Sequence, residues 1–510
     1  MRSYRHILSI TLLLFTLAWS LWYVFAGFGN PQDPLYWLNK YASLQGGWLA
    51  IGSILIGGGV VHLFGAELLP LRMANWLCAT AAIAVPYLVL LNRDERRDNL
   101  HWLALAIGLM NYGAFQELSP GTLTVPLLSS IATMAICYLR KPTAGLQAGL
   151  GIITGLAIMV RFPNVLVLLL LLPLFKRNNW LFIIATLLSG GVVCLLGHFI
   201  VTPAPMDQAM SSHDLLDIIT PLWERGAMLL GFALMWFGVW AIGKISPRYA
   251  IAIGIAVGAV LCYYVAYAFP VHRWYNTDLT YMISAGCLTL AVLLNRREVW
   301  LAAAILAVAA LGTDVGWLKL FPAVLCLLPI VGAWLPQETK RYLFPVLLAF
   351  TAAVMVRFAV NSVGNHNLFQ ARTEAALAPY THIRITETED LWLRQLKADY
   401  DSLRACTPSE TPILSVGREM HRARAVTGCE AARYNEFWSN IFDSVYTARY
   451  ETVVEQESPV ILCFYTPEFK TKPAYKDRHS AFEEMVRTHG YREINRAKYK
   501  YMIYIPQNNE

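Results

Sequence analysis

Charge is what this 510-residue chain has least of: Asp, Glu, Lys and Arg make up 15 % of it, while hydrophobic residues make up 56 %. Soluble domains carry about 25 % charged residues, so a single soluble globule is excluded. The scarcity is uneven. Residues 1–361 hold 22 Lys+Arg and 14 Asp+Glu, against 19 and 20 in residues 362–510. The first part reads as a membrane domain, the second as one soluble domain of ordinary composition. Nucleotide signatures are also missing. No GxxxxGK[ST] loop and no Gly-rich dinucleotide fingerprint occurs, which argues against an ATP-driven pump or a soluble-type nucleotide-sugar enzyme. No two His residues stand at i, i+4, the spacing of a zinc helix. Six of the nine cysteines (Cys78, Cys137, Cys194, Cys262, Cys287, Cys326) fall in apolar runs, where Cys acts as a small hydrophobe. Of Cys406, Cys429 and Cys463, the first two are the expected disulfide pair if their domain is extracytoplasmic.

What is present is a series of apolar runs. A helix needs about 20 apolar residues to span a bilayer. Thirteen candidates occur, at 7–27, 72–91, 100–116, 121–139, 144–160, 163–175, 180–202, 226–243, 249–269, 279–294, 299–313, 320–335 and 342–361. The first has no convincing cleavage site after it and reads as a retained span. With the N-terminus inside, alternate segments carry Arg2/Arg5, Arg93/Arg96/Arg97, Arg140/Lys141, Lys176/Arg177, Lys244/Arg248, Arg296/Arg297 and Lys340/Arg341. Together these are 15 of the 22 basic residues. That alternation is the positive-inside pattern, and it accounts for the net charge of +7 without a nucleic acid. An odd number of spans places residues 362–510 outside.

Residues 28–72 then form a first outer loop, with a Gly-rich apolar run at 46–65 read as lying in the interface or dipping in and returning. Residues 206–223 alternate like an amphipathic surface helix. In the soluble part, 388–404, 446–457 and 480–489 read as helices; 412–417, 459–465 and 499–505 read as strands, giving an α/β domain.

Polar groups at the outer span ends are the candidate site. They are Asp33, Glu117, Arg161, His272, Arg273, Asp278, Asp314 and Lys319. Carboxylates and cations on one face suit a reaction in which a hydroxyl loses its proton and a phosphate leaving group is neutralised. Arg binds phosphate through its planar fork. Arg161 interrupts a long apolar stretch, and an unpaired Arg costs at least ~2.5 kcal/mol near the middle of a membrane helix. Capping or a wet loop also accounts for such residues singly.

The order of these features resembles the GT-C glycosyltransferases, in particular the protein O-mannosyltransferase and lipid A aminoarabinose transferase group. Asp33, then His62-Leu63-Phe64-Gly65, then Leu71-Arg72-Met73-Ala74 follow the family's order. Glu117 with Ser119-Pro120 and Arg161-Phe162-Pro163 occupy the places of its second carboxylate and its Lys-Gly-Pro-like turn. The resemblance covers the whole chain by architecture and residues 28–165 by motif. Asp33 is followed by Pro34 rather than a second acid, and the family's Lys-Pro-Pro stretch is absent.

The resemblance implies an α-helical polytopic membrane protein with an extracytoplasmic C-terminal α/β domain, located in a bacterial inner membrane. The implied activity is inverting transfer of a sugar from a polyprenyl-phosphate donor to a lipid, glycan or protein acceptor. Asp33 would be the general base and Glu117 would position the acceptor, the two together also forming the candidate set for a divalent metal. Arg161, Lys40, Arg72 and Arg273 would contact the donor phosphate. His272, Asp278, Asp314 and Lys319 would line the acceptor side or the cavity. A transporter or flippase for a lipid-linked glycan is the alternative, although no repeat symmetry is visible; a catalytically silent scaffold is another.

Overall fold

The computed structural model describes residues 2–27, 33–110, 118–175, 179–203, 215–249, 251–253, 255–256, 277–311, 316–360, 368–417, 419–431, 451–464, 473–496 and 501–507. The protein is mostly helical. Four described helices are long and apolar enough to cross a membrane: Tyr4–Phe25, Leu68–Leu90, Pro120–Arg140 and Trp180–Ile200. At 1.5 Å per residue, 21 residues span roughly 31 Å, about the thickness of a bilayer's hydrocarbon core.

Leu100–Met110 lies at the centre of the bundle. Every residue from Trp102 to Met110 is buried, as expected for a helix apolar on all sides. The helix packs on Arg2–Phe25, on Leu328–Trp334 and on Gln337–Val360.

Thirteen regular crossings are not what the described helices supply. Residues 163–175 form a short helix, Val167–Leu171, between the 3-10 turns Phe162–Leu166 and Leu172–Phe175. Pro163 and Pro173 remove the N–H donors that a continuous helix needs there. The run at 320–335 is likewise split into Gly316–Leu325 and Leu328–Trp334. Of the surface helix expected at 206–223, residues 206–214 lie outside the described residues, and 215–223 begin the 31-residue helix Leu215–Ile245.

The Gly-rich run becomes the helix Ile51–Phe64. It packs against Asp33–Ser43, Leu68–Leu90, Ala144–Val160 and Trp180–Ile200. Glycine permits that approach. A Cβ at Gly52 would stand 2.9 Å from the Met159 backbone carbon, and one at Gly57 would run into the Tyr41 ring. Backbone cannot rotate away, so Gly52→Ala should destabilise by about 1–3 kcal/mol, the cost of overpacking a tight core. A lower thermal midpoint in detergent, with unchanged yield of inserted protein, is the expected measurement.

The C-terminal part contains a five-stranded sheet. Counting all strands in chain order, β1 is Gln45–Gly46, β2 Thr202–Pro203, β3 Thr373–Glu374, β4 Arg384–Ile385, β5 Ile413–Gly417, β6 Glu430–Ala431, β7 Val460–Phe464, β8 Tyr491–Arg496 and β9 Tyr501–Pro506. The sheet order is β6-β5-β7-β9-β8, parallel from β6 to β7 and antiparallel thereafter. β5 and β7 are buried at all five positions, because apolar clusters cover both faces of the sheet. That is why they read as unbroken apolar runs. The helix Glu387–Cys406 starts at a capping box, Thr386 with Glu389.

Cys406 and Cys429 are not paired. Both are free thiols, Cys406 exposed at the end of its helix and Cys429 buried in the core under the sheet. Burial pushes the Cys429 thiol above its ordinary pKa. Maleimide should therefore label Cys406 in the folded protein and reach Cys429 only after unfolding, as peptide mapping would read.

Candidate active site

The helices run between two chemically distinct ends. At one end the basic loops meet. Arg140 and Arg296 both stack on the Trp334 ring, each 5.2 Å from its centroid. Arg140 Nη1 also donates to the Leu90 carbonyl, and Lys340 Nζ donates to Asn99 Oδ1 at 2.9 Å. Arg140, Arg296 and Lys340, from segments far apart in the chain, thus meet at one end.

Of the candidate site residues, Lys40 and Arg72 lie at the other end. Leu35, Leu38 and Tyr41 give the helix Asp33–Ser43 a buried face. They join Leu68, Leu71, Leu118, Tyr380 and Ile385 in one apolar cluster. The first loop, the span ends and the start of the C-terminal part therefore share a core. Tyr41 Oη donates to the Leu118 carbonyl at 2.9 Å. That bond ties the loop helix to the residue next after Glu117. Lys40 is only 6 % exposed and lies over the Tyr36 ring at 5.5 Å.

Arg72 is 2 % exposed, one turn into the helix Leu68–Leu90. Its Nη1 and Nη2 both donate to the Gly27 carbonyl at 3.1 Å, while buried Nε has no hydrogen-bond partner among the described residues. No carboxylate pairs with this guanidinium among the described residues. Arg72, Asn75, Ser20, Thr122 and the Tyr23 hydroxyl are the polar lining of a pocket whose walls are otherwise largely apolar, among them Val24 and Val125. A buried cation with a vacant donor beside an otherwise greasy pocket is costly unless an anion completes it.

Residues without a sequence signal complete this end. Arg422 Nε donates to Tyr380 Oη at 2.7 Å, and its Nη1 pairs with Glu419 at 2.6 Å. Burial alone would lower the Arg422 pKa; Glu419 and Tyr380 outweigh it and hold it above its ordinary value. Burial raises the Tyr380 phenol, and the charges of Arg422 and Arg72 pull against that rise. The short helix Met420–Thr427 rests on the loop helix, with Tyr36 and His421 edge to face at 5.3 Å. Leu68 N donates to the Pro379 carbonyl.

Arg161 caps rather than protrudes. Its Nη1 donates to the Ala309 carbonyl at 3.0 Å and its Nη2 to that of Leu311, at the end of the segment Arg297–Ala310. These are orphan carbonyls of a helix C-terminus, where a cation is favoured. Glu117, His272, Arg273 and Asp314 lie outside the described residues, and only the backbone of Asp33, Asp278 and Lys319 is described.

No family model matches the chain, and no curated protein matches it. Among solved structures it is similar to ArnT from Cupriavidus metallidurans in the apo state. The identity is 12 %, the TM-score 0.46, and the match covers 98 % of this chain and 97 % of that one. It is also similar to ArnT from Cupriavidus metallidurans bound to undecaprenyl phosphate, at 13 % identity and a TM-score of 0.43 over the same shares. At these values the likeness carries no argument about activity.

Proposed function

We propose that this is a multi-pass inner-membrane glycosyltransferase that takes a sugar from a polyprenyl-phosphate carrier at its outer face. In this reading the basic end faces the cytoplasm and the C-terminal α/β part lies outside. Arg72 carries the proposal: a buried guanidinium with an unused donor lining a mostly apolar pocket. A lipid phosphate meets both demands, its anion completing the guanidinium and its chain entering from the bilayer.

Asp33 removes the proton from an acceptor hydroxyl. The freed oxygen attacks the anomeric carbon from the face opposite the phosphate. The bond from that carbon to the phosphate oxygen breaks, and the configuration inverts. The carrier departs as a phosphate whose added charge Arg72 and Lys40 neutralise. Glu117 positions the acceptor. The residue after it, Leu118, accepts a hydrogen bond from Tyr41 on the helix that Asp33 opens. Asp33 and Glu117 together are also the donor set proposed for a divalent cation, hard oxygen ligands of the kind such ions take. Arg273 remains a proposed phosphate contact, and His272, Asp278, Asp314 and Lys319 proposed acceptor-side residues. The hydrogen bonds of Arg161 favour a positioning role for it.

Mass spectrometry of the purified protein tests the proposal. A co-purified polyprenyl phosphate, released by Arg72→Leu, is the expected result. Its absence after incubation with the carrier would remove the donor assignment.

A further inference from the structure

A second basic group at this end is left over from the mechanism. Arg384 sits on β4, directly opposite Glu374 on β3. Opposite charges facing each other across a two-stranded ribbon normally pair. Here they do not. Glu374 Oε1 is taken by His382 Nδ1 at 2.8 Å, and His382 has a left-handed φ of 65°. That conformation is uncommon for a residue other than glycine. No carboxylate pairs with the exposed Arg384 guanidinium among the described residues.

The ribbon's position fixes the depth of that guanidinium. Gly27 N donates to the Arg384 carbonyl at 2.8 Å, and Ala26 bridges the same residue. Arg384 is therefore pinned to the last turn of Arg2–Phe25, where that helix leaves the bundle. Around it stand aromatic rings of the kind that collect at a membrane–water interface. Trp22 lies 5.3 Å from both Trp19 and Phe369. Trp22, Phe25, Glu374, His382 and Arg384 line one open groove of about 370 Å³.

We propose that this groove binds the phosphate-bearing headgroup of an outer-leaflet phospholipid, one that is neither carrier nor acceptor. The assignment to the outer leaflet rests on the orientation given under Proposed function. The Arg384 fork takes the phosphodiester. Trp22 and Phe25 cover the glycerol and the first methylenes. His382 occupies Glu374, which lessens that carboxylate's repulsion of the anion. The bound lipid would then tether the ribbon 373–385, and with it the C-terminal part, to the membrane surface.

The test uses the full-length protein in detergent and native mass spectrometry. Its probes are dioleoylphosphatidylglycerol, dioleoylglycerol with the same chains but no phosphate, and excess inorganic phosphate. The wild type should retain one phosphatidylglycerol, fail to retain dioleoylglycerol, and keep the lipid against inorganic phosphate. Arg384→Gln should weaken retention about tenfold, with Arg384→Lys in between. Equal retention by Arg384→Gln, equal retention of dioleoylglycerol, or full displacement by inorganic phosphate would each overturn the proposal. If Arg384→Gln does not fold, the wild-type comparison of the two dioleoyl lipids decides. Polyprenyl-phosphate retention should be unaffected by Arg384→Gln and lost in Arg72→Leu, so this site and the donor site fail separately.

Discussion

Asp33→Asn should abolish sugar transfer while leaving the protein inserted and folded. The substitution keeps the size and shape of the side chain but removes its charge and basicity and turns one acceptor oxygen into a donor. Loss of a general base typically lowers the rate 10²–10⁴-fold, about 3–5 kcal/mol in the barrier. Asp33 opens the helix Asp33–Ser43, whose stability comes from the buried face of Leu35, Leu38 and Tyr41 on other positions. The folded state should accordingly change little. Transfer measured in proteoliposomes, alongside elution volume and thermal midpoint, separates the two effects. Full activity in a well-folded Asp33→Asn protein would exclude Asp33 from the mechanism.

Arg72→Leu should weaken carrier binding by about 100-fold or more, from loss of a charge-assisted, desolvated contact. It has a second effect, because the guanidinium also holds the Gly27 carbonyl. Arg72→Lys separates them. An ammonium keeps the charge but lacks the planar fork that reaches one carbonyl with two donors. Binding should fall less in Arg72→Lys than in Arg72→Leu, with a similar loss of thermal midpoint in both. Carrier binding equal to wild type in a folded Arg72→Leu protein would move the phosphate elsewhere, with Lys40 the next candidate.

Several helices were legible in advance. The run read at 121–139 became Pro120–Arg140 and the helix read at 388–404 became Glu387–Cys406, while the capping boxes that start them were seen only in the structure. The strands β5, β7 and β9 were legible as short apolar runs, with ends within about two residues of those observed. Strand β8, Tyr491-Arg492-Glu493-Ile494-Asn495-Arg496, gave no such signal. It is an edge strand whose polar residues meet solvent on one side. The helix Met420–Thr427 was missed because its burial comes from its neighbours. His421 and Arg422 are buried there against Tyr36, Tyr380 and Glu419.

The sequence alone determined the division into an apolar helical part and a more charged part with short apolar strands. Composition and period are local properties, and burial in lipid or core follows from them directly. Only the tertiary structure decided which cations serve as scaffold and which are left with a free donor. Arg161 and Arg72 look alike in the sequence, each a lone Arg at the end of an apolar run. One finds two orphan carbonyls on a helix 148 and 150 residues away along the chain. The other keeps an unpartnered Nε against a pocket. Hydrogen-bond partners at such separations are set by how the helices pack, which no short stretch of sequence encodes.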